Sequence, residues 1–140
     1  VSMINGFLNE FLGSFVLFLG AMALTKNYFG AQLVSQLTAA GYDANTAATT
    51  VAPYTTGSLE VAHLGLGFLV MTLVASLGGP TGPALNPARD LGPRIVHALL
   101  PKSVLGEHKG DSKWWYSWVP VVAPSLAGIA AIALFKLLYL

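Results

Sequence analysis

Gly78-Gly79-Pro80-Thr81-Gly82-Pro83-Ala84-Leu85-Asn86-Pro87-Ala88-Arg89-Asp90-Leu91-Gly92-Pro93-Arg94 joins two unlike pieces of chain. The run from Leu64 to Ala88 carries no charge, but its glycines and prolines predict a helix break after Leu77. On the other side, Asn86 suits a helix cap and Pro87 the first helical position. The helix they open reaches Leu100 and stops at Pro101. At about 14 residues it is too short to cross a bilayer and reads as a re-entrant or interfacial helix. Irregular backbone at membrane depth is tolerated only where it lines a wet cavity or is buried in protein. Residues 78–86 therefore point to a pore or a substrate site.

The surrounding sequence supports a membrane setting. Of 140 residues, 54% are hydrophobic and only 9% charged, too few charges to coat a soluble domain of this size. The same numbers exclude disorder. A net charge of +1 without Lys/Arg clusters gives no nucleic-acid signal. The absence of cysteine removes disulfide scaffolds, zinc-thiolate sites and cysteine nucleophiles. Apolar stretches predict membrane spans over about 4–25, 61–77 and 115–139. Trp114, Trp115, Tyr116 and Trp118 form an interfacial belt at the start of the last one. The stretch 78–100 is the re-entrant loop and half-helix, and 26–60 and 101–114 read as polar loops. Asp43-Ala44-Asn45-Thr46-Ala47 has the form of a helix cap, but the composition of 26–60 favours an exposed loop. No signal peptide is visible, and a start without Met reads as a piece of a longer chain.

The 78–94 run resembles the second Asn-Pro-Ala signature of the aquaporin, or major intrinsic protein, family. Asp90 after Arg89, with Arg94 four residues on, resembles the glycerol-facilitator branch, as does Pro120-Val121. The resemblance covers nearly the whole chain and matches the second half of a family member. It implies an all-α membrane fold: one repeat of three transmembrane helices plus one re-entrant half-helix. It also implies passive passage of glycerol, water and other small neutral solutes, with ions and protons excluded.

Elementary physics gives each residue of the motif a role consistent with that resemblance. A helix N-terminus carries roughly half a positive charge and several free N–H groups. At the membrane midplane it repels cations and offers donors to neutral solutes. Asn86 can cap the half-helix with its oxygen and turn its NH₂ to a solute, while Pro87 fixes its geometry and Ala88 completes the triplet. Taken alone, Asn-Pro would be an ordinary capped helix start. Arg89 is a charge in an otherwise apolar segment, which marks it as functional. The resemblance places it in the narrowest part of the pore. Asp90 and Arg94 can pair at i,i+4, mainly as support. The resemblance makes Glu10 an acceptor for backbone N–H groups of the re-entrant segment. The carbonyls of Gly82, Pro83 and Ala84 would complement the donors of Asn86 and Arg89 along a polyol. Two positions depart from the branch: Pro83 stands where an aromatic is frequent, and Val74 where water channels carry His and glycerol facilitators Gly.

His63, His97 and His108 have no metal-ligand spacing, and no cofactor is expected. No convincing nucleophile is present, so an enzyme is not expected. Ala123, Ala127, Gly128 and Ala131 recur at helical spacing and read as a close-packing face. Lysine counts alone would place the 102–113 loop inside; the resemblance places it outside, at the cell membrane. Three spans and a half-helix cannot enclose a pore. The expected partners are therefore the first-repeat half of the same protein, the lipid bilayer and, by resemblance, three further copies in a homotetramer. The competing reading is a non-conducting half-channel module that assembles with a partner.

Overall fold

The computed structural model describes residues 2–25 and 28–139. Among these residues every regular element is helical. In order they are α1 (Met3–Thr25), α2 (Tyr28–Ala39), α3 (Ala44–Thr81), α4 (Pro87–Leu99), the single turn α5 (Lys102–Leu105) and α6 (Val119–Tyr139). Short 3-10 turns cover Gly106–His108 and Trp114–Tyr116. Three stretches, Met3–Ala39, Glu60–Thr81 and Trp114–Tyr139, are long and apolar enough to cross a membrane. At a rise of 1.5 Å per residue, α1 alone reaches about 35 Å, against a hydrocarbon thickness of about 30 Å. The chain is an all-α membrane protein.

Two expectations about element boundaries need correction. The segment 26–60 is not a loop: α2 and the first part of α3 are helical, while Lys26 and Asn27 lie outside the described residues. The reason is local. The Asp43 carboxylate accepts from the N–H groups of Asn45 and Thr46, both at 3.0 Å, and from the Thr46 hydroxyl, which caps α3. Ala44, Ala47, Ala48 and Ala52 then favour the helix. The hydroxyls of Thr49 and Thr50 are absorbed by carbonyls four residues back, at 2.9 and 2.7 Å. A polar composition thus concealed a helix whose polar groups bond to the helix itself.

The break after Leu77 is the second correction, because α3 runs on to Thr81. Gly78, Gly79 and Pro80 do not stop it. Gly82 does: at φ +60° its N–H returns to the Gly78 carbonyl at 2.9 Å, a left-handed stop followed at once by Pro83.

The chain divides into two compact units, residues 1–19 with 72–140, and residues 20–71. In the second, Gly20 lies against Leu69 and Gly65 against Leu24, so small residues let α1 and α3 approach closely. In the first, α6 buries Val119, Ala123, Ala127, Ala131 and Phe135, one residue per turn, together with Pro120, Pro124 and Gly128. Phe18 of α1 packs on Gly128. Hydrocarbon chains are as apolar as leucine, so association of such helices depends on close contact of this kind. Outward, α6 shows Leu126, Ile129, Ile132 and Leu137, as a surface in lipid should. The glycine and polar face of α1 is left to hold the connection between α3 and α4.

Candidate functional site

Between two and three turns of α1, residues 6–14, cradle that connection. Glu10 is 1% exposed, and its two carboxylate oxygens accept from the N–H groups of Ala84 at 2.9 Å and Leu85 at 2.8 Å. One turn along, the Ser14 hydroxyl donates to the Leu85 carbonyl at 3.4 Å. One residue before Glu10, the Asn9 amide donates to the Leu77 carbonyl at 3.0 Å and to Thr81 Oγ1 at 2.9 Å. Gly13 leaves room for the Leu85 side chain, and Gly6 for Tyr116. An acid and two polar side chains at membrane depth therefore find partners inside the protein, as the absence of water requires. The Tyr116 hydroxyl, buried by Gly6, is the exception and has no hydrogen-bond partner among the described residues.

Leu85 is the pivot. Its φ is +56°, in the left-handed region that costs a branched side chain about 1–2 kcal/mol. The bonds from Glu10 and Ser14 and the pocket over Gly13 hold it there, at 1% exposure. The reversal sets Asn86 in extended backbone, φ −157° and ψ 128°, which is the geometry of an N-cap. Asn86 Oδ1 accepts from the Ala88 N–H at 2.8 Å, and Pro87 opens α4. The Asn86 NH₂ is left exposed and without a partner among the described residues.

The two arginines of α4 are treated oppositely. Arg94 is fully engaged. Its Nε and Nη2 grip Asp90 Oδ2 and Oδ1 at 2.7 and 2.6 Å, and its Nη1 donates to the carbonyls of Ser112 and Lys113. A planar fork suits this two-sided task. The 102–113 segment is clamped on α4 from the other end too. Lys109 Nζ caps the carbonyls of His97 and Ala98, where the helix end is negative, and His97 Nδ1 meets Ser112 Oγ at 2.9 Å. Arg89, in the first turn of α4, is exposed and bonded to nothing among the described residues. It opens onto a cleft of about 330 Å³ with Pro93, His97, Asp111 and Ser112.

The remaining expected residues fall into two groups. Gly82 is exposed, Ala84 half-buried and Val74 36% exposed. Pro83 is buried in the protein's own packing, its ring against Gly78. No group of His, Cys, Asp and Glu that could hold a metal occurs among the described residues.

Sequence reasoning missed Asn9, Ser14, Gly6, Gly13 and Lys109. The first four, with Glu10, recur at i, i+3, i+4, i+7 and i+8 along α1. A stripe of small and polar residues in an otherwise apolar helix was the available signal.

The major intrinsic protein family model matches residues 36–135. A glycerol facilitator-aquaporin of Lactococcus lactis subsp. cremoris is 61% identical over 98% of this chain and 50% of its own length. Glycerol uptake facilitator protein-like 5 of Lactiplantibacillus plantarum is 42% identical over 99% of this chain and 44% of its own length. The glycerol uptake facilitator protein of Bacillus subtilis is 43% identical over 86% of this chain and 32% of its own length. The chain spans about half the length of the first two of these relatives. No solved structure matches it.

Proposed function

This chain belongs to the major intrinsic protein family, and from that premise we propose that it forms one repeat of a passive channel for glycerol, water and other small neutral solutes. The observation that carries the reading is the contrast between the arginines. Arg94 spends its donors on Asp90 and the 112–113 backbone, while Arg89 keeps its guanidinium free one turn from the free amide of Asn86.

Donors on Asn86 and Arg89 face a solute from α4, and the carbonyls of Gly82, Pro83 and Ala84 supply acceptors in a row. A neutral molecule with hydroxyl groups can exchange its water for these partners step by step. A cation cannot. Brought to about 4 Å from Arg89, it meets about 4 kcal/mol of repulsion at an effective dielectric of 20, roughly a thousand-fold in occupancy. The positive end of α4 adds to that barrier. Fixed donors and acceptors for an uncharged solute fit a channel and not a pump. The reading includes the other half-repeat to close the pore, assembly as a homotetramer and residence in the cell membrane.

The test is stopped-flow light scattering on vesicles holding the protein at full length. Glycerol and water fluxes above those of empty vesicles are expected. Fluxes equal to the empty vesicles for both solutes would remove the channel reading and favour a non-conducting module.

A further inference from the structure

Glu10 holds the 82–84 segment at its far end, through the N–H groups of Ala84 and Leu85. The near end has an anchor of its own. Asn9 Nδ2 bonds the carbonyl of Leu77 and the hydroxyl of Thr81, both in the last turn of α3, and Thr81 is the final residue of that helix. The next residue, Gly82, has φ +60° and returns its N–H to the Gly78 carbonyl at 2.9 Å, so beyond this local turn and the packing of Pro83 on Gly78 it is Asn9 that ties the exit of the helix to α1. Two adjacent residues of α1 thus pin a three-residue segment at both ends, one through its amides and the other through the helix that feeds it.

We propose that Asn9 and Thr81 are positioning residues for solute selectivity, a role that rests on the channel reading above. They fix where the carbonyls of Gly82 to Ala84 begin, and so their spacing along the solute path. Water needs one acceptor at a time. A polyol must meet several acceptors in register, so a loose end at Thr81 penalises the polyol far more than water.

The experiment compares glycerol and water permeability of full-length Asn9→Leu, Thr81→Val and Thr81→Ser with the unsubstituted protein in the same vesicles. Leucine keeps the branched outline of Asn9 at a somewhat larger volume and suits an apolar helix. Valine keeps the volume of Thr81 and leaves the Asn9–Leu77 bond intact, which guards against simple misfolding. The glycerol-to-water ratio should fall about three- to ten-fold in Thr81→Val, the loss of about one hydrogen bond, and at least as far in Asn9→Leu, which loses two. Thr81→Ser keeps the hydroxyl and should keep the ratio. A loss of folded protein alone would lower both fluxes together and leave the ratio where it was. An unmoved ratio in Thr81→Val and Asn9→Leu, with water flux close to that of the parent, would overturn this role and leave the channel reading standing. No flux in the parent would remove both.

Discussion

Replacing Glu10 by Ala should be among the most damaging single changes in this chain. The carboxylate accepts at 2.9 and 2.8 Å from two backbone N–H groups and is 1% exposed. Hydrogen bonds to a charged group contribute about 1.5–3 kcal/mol each. The Leu85 N–H is buried and would stay unpaired, whereas the Ala84 N–H is partly accessible and can recover a partner. Discounting for that recovery, the loss is about 3–5 kcal/mol. Leu85, at φ +56°, would also lose a restraint on a conformation it does not favour. Asn86 would then lose its cap geometry, and solute flux should fall with stability. Glu10→Gln keeps one acceptor oxygen but turns an NH₂ towards the other N–H, so half the loss is expected, about 1.5–2.5 kcal/mol. The assay is reversible unfolding of the full-length protein in mixed micelles, titrated with a denaturing detergent. An Ala variant within about 0.5 kcal/mol of the parent, the range of ordinary surface substitutions, would refute the cradle.

Other consequences are separable. A Cβ on Gly13 would stand 2.5 Å from Leu85 Cδ2 and 3.0 Å from Leu77 Cδ1. Gly13→Ala should therefore cost about 1–3 kcal/mol in the same assay. Gly67→Ala meets nothing within 4 Å and should be neutral or gain about 0.5–1 kcal/mol. Arg94→Lys loses the fork that joins Asp90 to Ser112 and Lys113 and should cost about 1–3 kcal/mol, with faster proteolysis of the 102–113 segment. The Thr46 hydroxyl, then the N–H groups of Thr46 and Asn45, hold the Asp43 carboxyl below its ordinary value. Its cap on α3 is therefore whole above the unfolded carboxyl value of about 3.9 and is lost as pH falls through the lower folded value. Amide exchange at residues 45–47, corrected for intrinsic rates, should accelerate below about pH 4, and Asp43→Asn should abolish that change.

The re-entrant element was legible because its signals are local. Asn86 before Pro87, and Asp90 four residues before Arg94, concern single turns, and both bonds form. The start of α3 was misread for the opposite reason. The threonines of 46–50 look solvent-seeking in composition, yet their hydroxyls bond backward along the helix. The end of α3 was misplaced by four residues, because glycine and proline in a last turn do less to stop a helix than a residue at φ +60°. Asn9 and Ser14 were beyond local reading. Their roles depend on which backbone lies opposite, more than seventy residues away in sequence for each contact except that of Asn9 with Leu77, which is 68 away. The burial of the Pro83 ring had the same origin, since only packing decides which face of an extended segment turns inward.

Arg89→Val in the full-length protein tests the central claim most directly, because Arg89 is the guanidinium that the structure leaves free beside Asn86. Vesicles with the variant should retain glycerol flux, admit larger polyols and pass more protons or cations than vesicles with the parent. A solute and ion profile identical to that of the parent would place the path of permeation away from Arg89 and contradict the account.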